Sequence, residues 1–334
     1  MLTSPSQMLV SKGRWSGSRS CRRWVAAAGV VLGGTVLVLH PQESSLVKEQ
    51  TLPERVYFQT HQLPVNSDDA VRQLTNKTFA GLEQDDPALV SYVRQLIIPP
   101  STKAYNLTNP TKVHFSQYDQ SAFAEENFLN GMGGGFFLEM GALDGEDHSN
   151  TLYFEKYRGW SGLLIEPDPK LFQRLSDLNR KAYSINAAVS LSKVSALATF
   201  RSAEGEGRIW EGVQKGEEGA ITVLCFPLYT VLLAINLPTI DFFSLDIEGH
   251  EMRVMKALPW EKVKVRVMCI EVNHVPGGVK AVIEFMESRG YTFLGTRNID
   301  AWFGLRELLQ ETMDLDKYLQ QHKIDTLRLK LLSS

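Results

Sequence analysis

The stretch Phe136-Phe137-Leu138-Glu139-Met140-Gly141-Ala142-Leu143-Asp144-Gly145 decides the fold. Its first five residues have the length and apolar character of a buried parallel strand. The small residues behind them permit a tight turn in which the backbone comes close to a ligand. Working outward, runs of the same kind recur at 162–165, 183–189, 240–245 and 265–272, and helical stretches lie between them at 171–178, 228–235 and 279–290. Strand alternating with helix predicts an α/β domain built on a doubly wound, Rossmann-like sheet. Residues 291–294 and 299–303 would add a closing pair of strands, and 305–332, with Leu305, Leu308, Leu309, Leu315 and Leu319, read as one or two terminal amphipathic helices.

In such a sheet, ligands bind beyond the carboxyl ends of the strands, where the strand order reverses. The predicted ends carry Glu139 to Gly145, then Glu166-Pro167-Asp168, Asn186-Ala187-Ala188, Asp246-Ile247-Glu248-Gly249-His250-Glu251 and Glu271-Val272-Asn273. Singly these signals are weak. A glycine turn is as often structural as functional, an acid at a strand end is commonly just solvated, and a lone histidine such as His250 is more often a surface residue than a base. Together they are specific. The first turn lacks GxGxxG and holds an acid where a phosphate cradle would be, which suits a nucleoside cofactor with a positive charge and no phosphate. S-adenosylmethionine is such a ligand. Its candidate contacts are Glu139, Gly141, Ala142, Asp144, Gly145, Glu166, Pro167, Asn186, Ala187, Asp246 and Glu248. The Glu166 carboxylate would accept ribose hydroxyls, and Asn186 would offer its amide to an adenine edge. No metal site is expected.

The amino-terminal part reads differently. Of 35 basic residues, Lys12, Arg14, Arg19, Arg22 and Arg23 precede residue 43 with no acid among them, which leaves 30 basic against 38 acidic residues for the rest. This balance argues against a protein that works by neutralising nucleic-acid phosphates. The charge step straddles residues 25–39, VAAAGVVLGGTVLVL, an uncharged run about 22 Å long as a helix, which suits the thinner membranes of the early secretory pathway. A cleaved signal peptide is the competing reading, but no small-x-small cleavage site follows the run. The expected organisation is a cytosolic basic tail (1–23), a signal anchor (24–40), a lumenal stem with short helices (41–111), an α/β domain (112–303) and a helical tail (304–334), in type II orientation. Within the anchor, Gly29 and Gly33 form a GxxxG pair that would let two copies dimerise; scattered small residues explain it equally well. Cys21 is placed for palmitoylation or is an unmodified thiol. Asn76 and Asn106 head N-glycosylation tripeptides on the lumenal side. Cys225 and Cys269 could be joined, and their apolar surroundings favour buried free thiols. In the stem, Pro87 after Asp85 and Asp86, with Leu89, Val90, Val93, Leu96 and Ile97, predicts a helix that docks on the domain.

Two resemblances follow from these residues. Glu139 to Gly145, Glu166-Pro167, Asp246 to Gly249 and Glu271 resemble the motifs of the FkbM-type methyltransferase domain over about residues 131–303, with Glu139 in place of an aspartate and Leu143 in place of an asparagine. Asp85-Asp86-Pro87, Pro99-Pro100-Ser101, Tyr105-Asn106-Leu107, Gly145-Glu146 with Ser149-Asn150-Thr151-Leu152, the run from Gly159 to Pro167, and Cys225-Phe226-Pro227-Leu228 are similar to the arthropod Star family. That resemblance implies a type II membrane protein of the ER and Golgi, and of endosomal or plasma membranes, that helps membrane-tethered EGF-receptor ligand precursors leave the ER. The alternative is an active S-adenosylmethionine-dependent O-methyltransferase acting on a glycan or other lumenal hydroxyl. Asp246, Glu248 and His250 are then the candidate general bases, because a hydroxyl proton needs an acceptor within hydrogen-bond reach.

Overall fold

A computed structural model describes residues 78–201, 207–211, 220–236 and 239–333. Its strands, in chain order, are β1 (Phe136–Met140), β2 (Ser161–Ile165), β3 (Tyr183–Ile185), β4 (Ala188–Val189), β5 (Ala196–Arg201), β6 (Arg208–Glu211), β7 (Ala220–Phe226), β8 (Thr239–Leu245), β9 (Lys264–Glu271), β10 (Tyr291–Arg297) and β11 (Asp300–Leu305). The helices are α1 (Pro87–Leu96), α2 (Gln120–Ala124), which runs into a π turn (Glu125–Leu129), α3 (Leu152–Arg158), α4 (Pro169–Asp177), α5 (Leu228–Ala234) and α6 (Glu251–Ala257). They continue with α7 (Gly278–Glu287), α8 (Arg306–Leu309), α9 (Leu315–Gln321) and α10 (Ile324–Ser333).

The main sheet has the order β10-β11-β9-β8-β1-β2-β3. Its five strands from β9 to β3 are parallel, and β11 and β10 close it antiparallel. The parallel strands are covered on both faces, which is why they read as continuous apolar runs: Phe137, Leu138, Phe242, Phe243, Val265 and Val267 are wholly buried. Each such side chain contributes roughly 1.5–3 kcal/mol by leaving water. The chain moves to one side of β1 for β2 and β3 and to the other for β8 and β9, so the order reverses between β1 and β8.

Residues 183–189 do not form one strand. Asn186 breaks the run by donating its side-chain amide to the carbonyls of Glu166 and Pro167 at 2.8 and 3.1 Å, and beyond it β4 joins a separate four-stranded sheet, β4-β7-β5-β6. That sheet was not foreseen, nor were the short helices α3 and α6.

The helix expected after Asp86 is α1. The Asp86 carboxylate caps it by accepting from the amides of Ala88 and Leu89 at 2.8 and 3.2 Å, and Pro87 supplies its first turn. Leu89 and Val93 are fully buried, and Arg94 donates through Nε to the Ala234 carbonyl at 2.8 Å at the end of α5. The extended segment behind α1 pairs Ile98 with Ser184 in both directions, at 2.8 and 3.0 Å, along the free side of β3. Cys225 and Cys269 are buried free thiols. No helix among the described residues is long and apolar enough to cross a membrane. The anchor expected at 24–40, with Gly29, Gly33, the neighbouring Cys21, and the acceptor Asn76, lies outside the described residues.

Candidate cofactor cleft

The strand ends where the order reverses are tied together by backbone. The amides of Gly141 and Ala142 both lie 3.2 Å from the Ile165 carbonyl, and the Asp246 amide lies 3.3 Å from that of Met140. Gly141 has φ of 78°, and a Cβ there would overlap the Asp246 carbonyl oxygen, so only glycine lets β1 and β8 turn this closely. The next turn residue but one, Leu143, holds φ of 50°, a left-handed conformation that asparagine tolerates better than leucine.

Above these ends opens a cleft of about 680 Å³, mouth included. Glu166, Asp168, Asp246 and Glu248 give it an acidic side. Pro167, Leu171, Ala187, Val189 and Leu191 give it an apolar wall, which Phe200 and Ile209 of the second sheet extend. Glu166 is 3% exposed and accepts from the amides of Leu143 and Asp168, each at 2.8 Å. Burial pushes its carboxyl up to about 8, and those two backbone bonds oppose the rise. Asp246 is pushed up to about 7, first by burial and then by the nearby charges of Glu248 and Glu251. Asp168 caps α4, accepting from the amides of Lys170 and Leu171 at 2.7 and 3.2 Å.

Of the expected contacts, Gly141, Glu166, Pro167, Ala187, Asp246 and Glu248 line this cleft, and so does His250, a candidate base. Glu139, Ala142, Asp144, Gly145 and Asn186 do not, and each has another task. Glu139 is buried and accepts from the Asn150 amide, from Ser149 Oγ at 3.0 Å and from Thr151 Oγ1 at 2.6 Å, which fixes the chain entering α3. Burial raises its pKa, and the Arg180 guanidinium opposes that. Asp144 caps its own turn through the amides of Glu146 and Asp147, at 3.0 and 2.8 Å. Ala142 is buried, Gly145 packs against Leu175, and Asn186 braces the Glu166-Pro167 turn.

Beside Asp246 the acids continue behind the cleft. Glu251, at the start of α6, accepts through Oε1 from the amides of Ile247 and Gly249 at 2.9 and 3.2 Å. His274 Nδ1 lies 3.2 Å from both Glu248 Oε2 and Glu271 Oε1. Glu251 and His274 were not singled out from sequence. His274 reaches the cluster only because its loop packs against the Gly249 turn, where a Cβ on Gly249 would come within 3.0 Å of the His274 carbonyl oxygen. Phe200 and Ile209 were missed with the sheet that carries them.

The residues present fit a cationic nucleoside. A buried carboxylate stands at the end of β2 with both oxygens facing amides that leave lone pairs over, and an apolar wall opposes it.

Residues 139–293 match the family described as the methyltransferase FkbM domain. Among solved structures, the chain is similar to the methyltransferase FkbM of Methylobacillus flagellatus KT, with 14% identity and a TM-score of 0.34 over 64% of this chain and 50% of that one. It thus spans half the length of that protein. Precorrin-6y C5,15-methyltransferase of Geobacter metallireducens GS-15 matches with 12% identity and a TM-score of 0.34 over 58% of this chain and 89% of that one. TrmK of M. capricolum, in complex with S-adenosyl-homocysteine, matches with 10% identity and a TM-score of 0.32 over 57% and 68%. No curated protein sequence matches the chain. The Rossmann-like α/β unit is accordingly methyltransferase-like, and residues 139–293 of it are similar to the methyltransferase FkbM domain.

Proposed function

We propose that this domain binds S-adenosylmethionine in the cleft, and that the chain is a type II ER and Golgi membrane protein of the Star kind that carries membrane-tethered growth-factor precursors through the secretory pathway. The observation that carries the binding is Glu166, a buried acid whose two oxygens are oriented by the Leu143 and Asp168 amides toward a cleft walled by Leu171, Val189 and Phe200. Glu166 would accept the ribose hydroxyls, the apolar wall would take the adenine, and Asp246 would face the positive end. Titration calorimetry of the full chain in detergent tests it: micromolar binding of S-adenosylmethionine or its demethylated product, weakened at least tenfold by Glu166→Ala, is expected. No heat at millimolar ligand would overturn it.

The transport half is supported by where the residues shared with the Star family lie. Ser101 bonds the Arg180 carbonyl at 3.0 Å, Asn106 bonds that of Leu178 at 2.9 Å, and Thr108 and Asn109 donate to Glu146 at 2.7 and 2.6 Å. The shared residues 99–101, 105–107 and 145–152 thus lie together on the β3 side of the sheet, while the shared run from Gly159 to Pro167 ends at the cleft. The measurement is the ER exit of a tagged precursor in cells that lack this protein. Rescue by Glu166→Ala and Asp246→Ala chains would assign transport without catalysis, and no dependence of exit on the protein would remove the transport role.

A second reading, O-methyl transfer to a glycan or other lumenal hydroxyl, is favoured by Asp246, Glu248 and His250 lining one cleft. Bound S-adenosylmethionine would supply an electrophilic methyl group. The chain's own part would be to hold a hydroxyl beside these groups and take its proton. Methyl incorporation into lumenal glycoprotein that Asp246→Asn abolishes is the result that would establish it.

A further inference from the structure

We propose that Asp246, Glu251 and Glu271 form a seat for one divalent cation of the hard, oxygen-preferring kind, directly behind the cleft. Each offers a carboxylate oxygen, and the three lie within 4.8 Å of one another. Ligand oxygens bound at roughly 2.0–2.6 Å to one Mg²⁺, Mn²⁺ or Ca²⁺ stand at comparable separations.

The independent sign is two orphaned atoms. Oε2 of Glu251 and Oε2 of Glu271 have no hydrogen-bond partner among the described residues, although the two residues are 0% and 3% exposed. A buried carboxylate oxygen without a donor is costly, and two of them in one cluster compound the cost. Protein groups do not relieve it, since no lysine or arginine is paired with any of the three acids among the described residues. His274 meets Glu271 only through Oε1, 3.2 Å away. Glu251 is also fixed in aim. Its Oε1 is held by the amides of Ile247 and Gly249, which leaves Oε2 to face the cluster. An all-carboxylate donor set selects Mg²⁺, Mn²⁺ or Ca²⁺ over softer metals. A cation here would neutralise the acids on the inner side of the cleft and leave coordination positions for water or a substrate hydroxyl through Asp246. The seat rests on these oxygens and not on S-adenosylmethionine binding.

The test uses the full chain in detergent, stripped with EDTA, dialysed, and titrated with Mn²⁺ alone, bound metal being read as loss of the free-ion paramagnetic resonance signal. One Mn²⁺ per chain at about 10⁻⁴ M or tighter is expected, together with a rise in melting temperature. Glu251→Gln and Glu271→Gln should each weaken binding at least tenfold, and Asp246→Asn serves where either fails to fold. His274→Ala should leave binding unchanged. No binding at millimolar Mn²⁺ by a cooperatively melting protein would overturn the proposal. So would equal binding by the Gln variants, or loss in His274→Ala with Glu251→Gln intact, which would move the ion to Glu248, Glu271 and His274. Because no nucleoside is present, none of these outcomes touches the cofactor reading.

Discussion

Leu143 shows how one residue can serve a site at the expense of the fold. Its amide orients Glu166, yet its backbone stands at φ of 50°, where an ordinary L-residue loses about 1–2 kcal/mol. Leu143→Asn should keep the amide bond and raise stability by about 0.5–1 kcal/mol, read as a higher urea midpoint. A lower midpoint would mean that the leucine side chain holds the cleft wall more strongly than its backbone strains it. Glu166 gives a second expectation. With its pKa near 8, the carboxyl is largely protonated at neutral pH, and a protonated oxygen has less capacity to accept from a ribose. Affinity for S-adenosyl-homocysteine should therefore rise between pH 6.5 and 9. Glu166→Gln should bind more weakly and show a smaller rise, the remainder coming from Asp246; a wild-type profile that is flat over this range would take the ribose contact away from Glu166.

At the scale of elements, buried ionic groups hold the β3 side together. The Arg180 guanidinium meets Glu155 at 2.8 Å with both side chains nearly inaccessible, and it also reaches the Gly145 carbonyl and Thr151 Oγ1. Arg180→Ala strands the Glu155 charge in the interior and should cost about 3–5 kcal/mol. Arg180→Met with Glu155→Leu should recover part of that loss in a double-mutant cycle. Losses in Arg180→Met and Glu155→Leu that simply add in the double variant would show that the pair itself contributes little. This arrangement also explains which elements the sequence disclosed. β1, β2, β8 and β9 are buried on both faces and read as apolar runs to within a residue or so of their ends. In α3 and α6, seven residues each, Glu155 and Glu251 lie buried, and an acid on the inner face hides the helical period. β5 and β7 carry several half-buried positions and alternate too weakly to be seen.

For the molecule as a whole, acids dominate the pH response. Burial raises the carboxyls of Glu166 and Glu271 to about 8, Asp246 to about 7 and Asp300 to about 6, and it raises those of Glu139 and Glu251 as well. A carboxyl whose folded pKa exceeds its unfolded one binds more protons when folded, so its contribution is full below about pH 4 and is lost as pH climbs through the folded value. The melting temperature of the metal-free chain should fall from pH 5 to pH 8.5. A melting temperature that rises over that range would contradict the burial of these acids. The same cluster measures how far the site could be read. Strand-end positions revealed Glu166, Asp246 and Glu248 because the fold class fixes what lies there. Glu251 and His274 take part through a turn and a loop packed across it, a contact without local signature.

The pairing of Ile98 with Ser184 lays the segment after α1 along β3, and at the opposite border α10 packs beside β10. The β3 rim of the seven-stranded sheet is therefore occupied by the chain's own segment, and the β10 rim has a helix beside it. Copies crowded together would find the β3 rim already paired, which protects that border against fibrous self-association. A partner that adds a strand to this domain would find its place on the smaller sheet, whose border strand β6 pairs with β5 alone among the described residues.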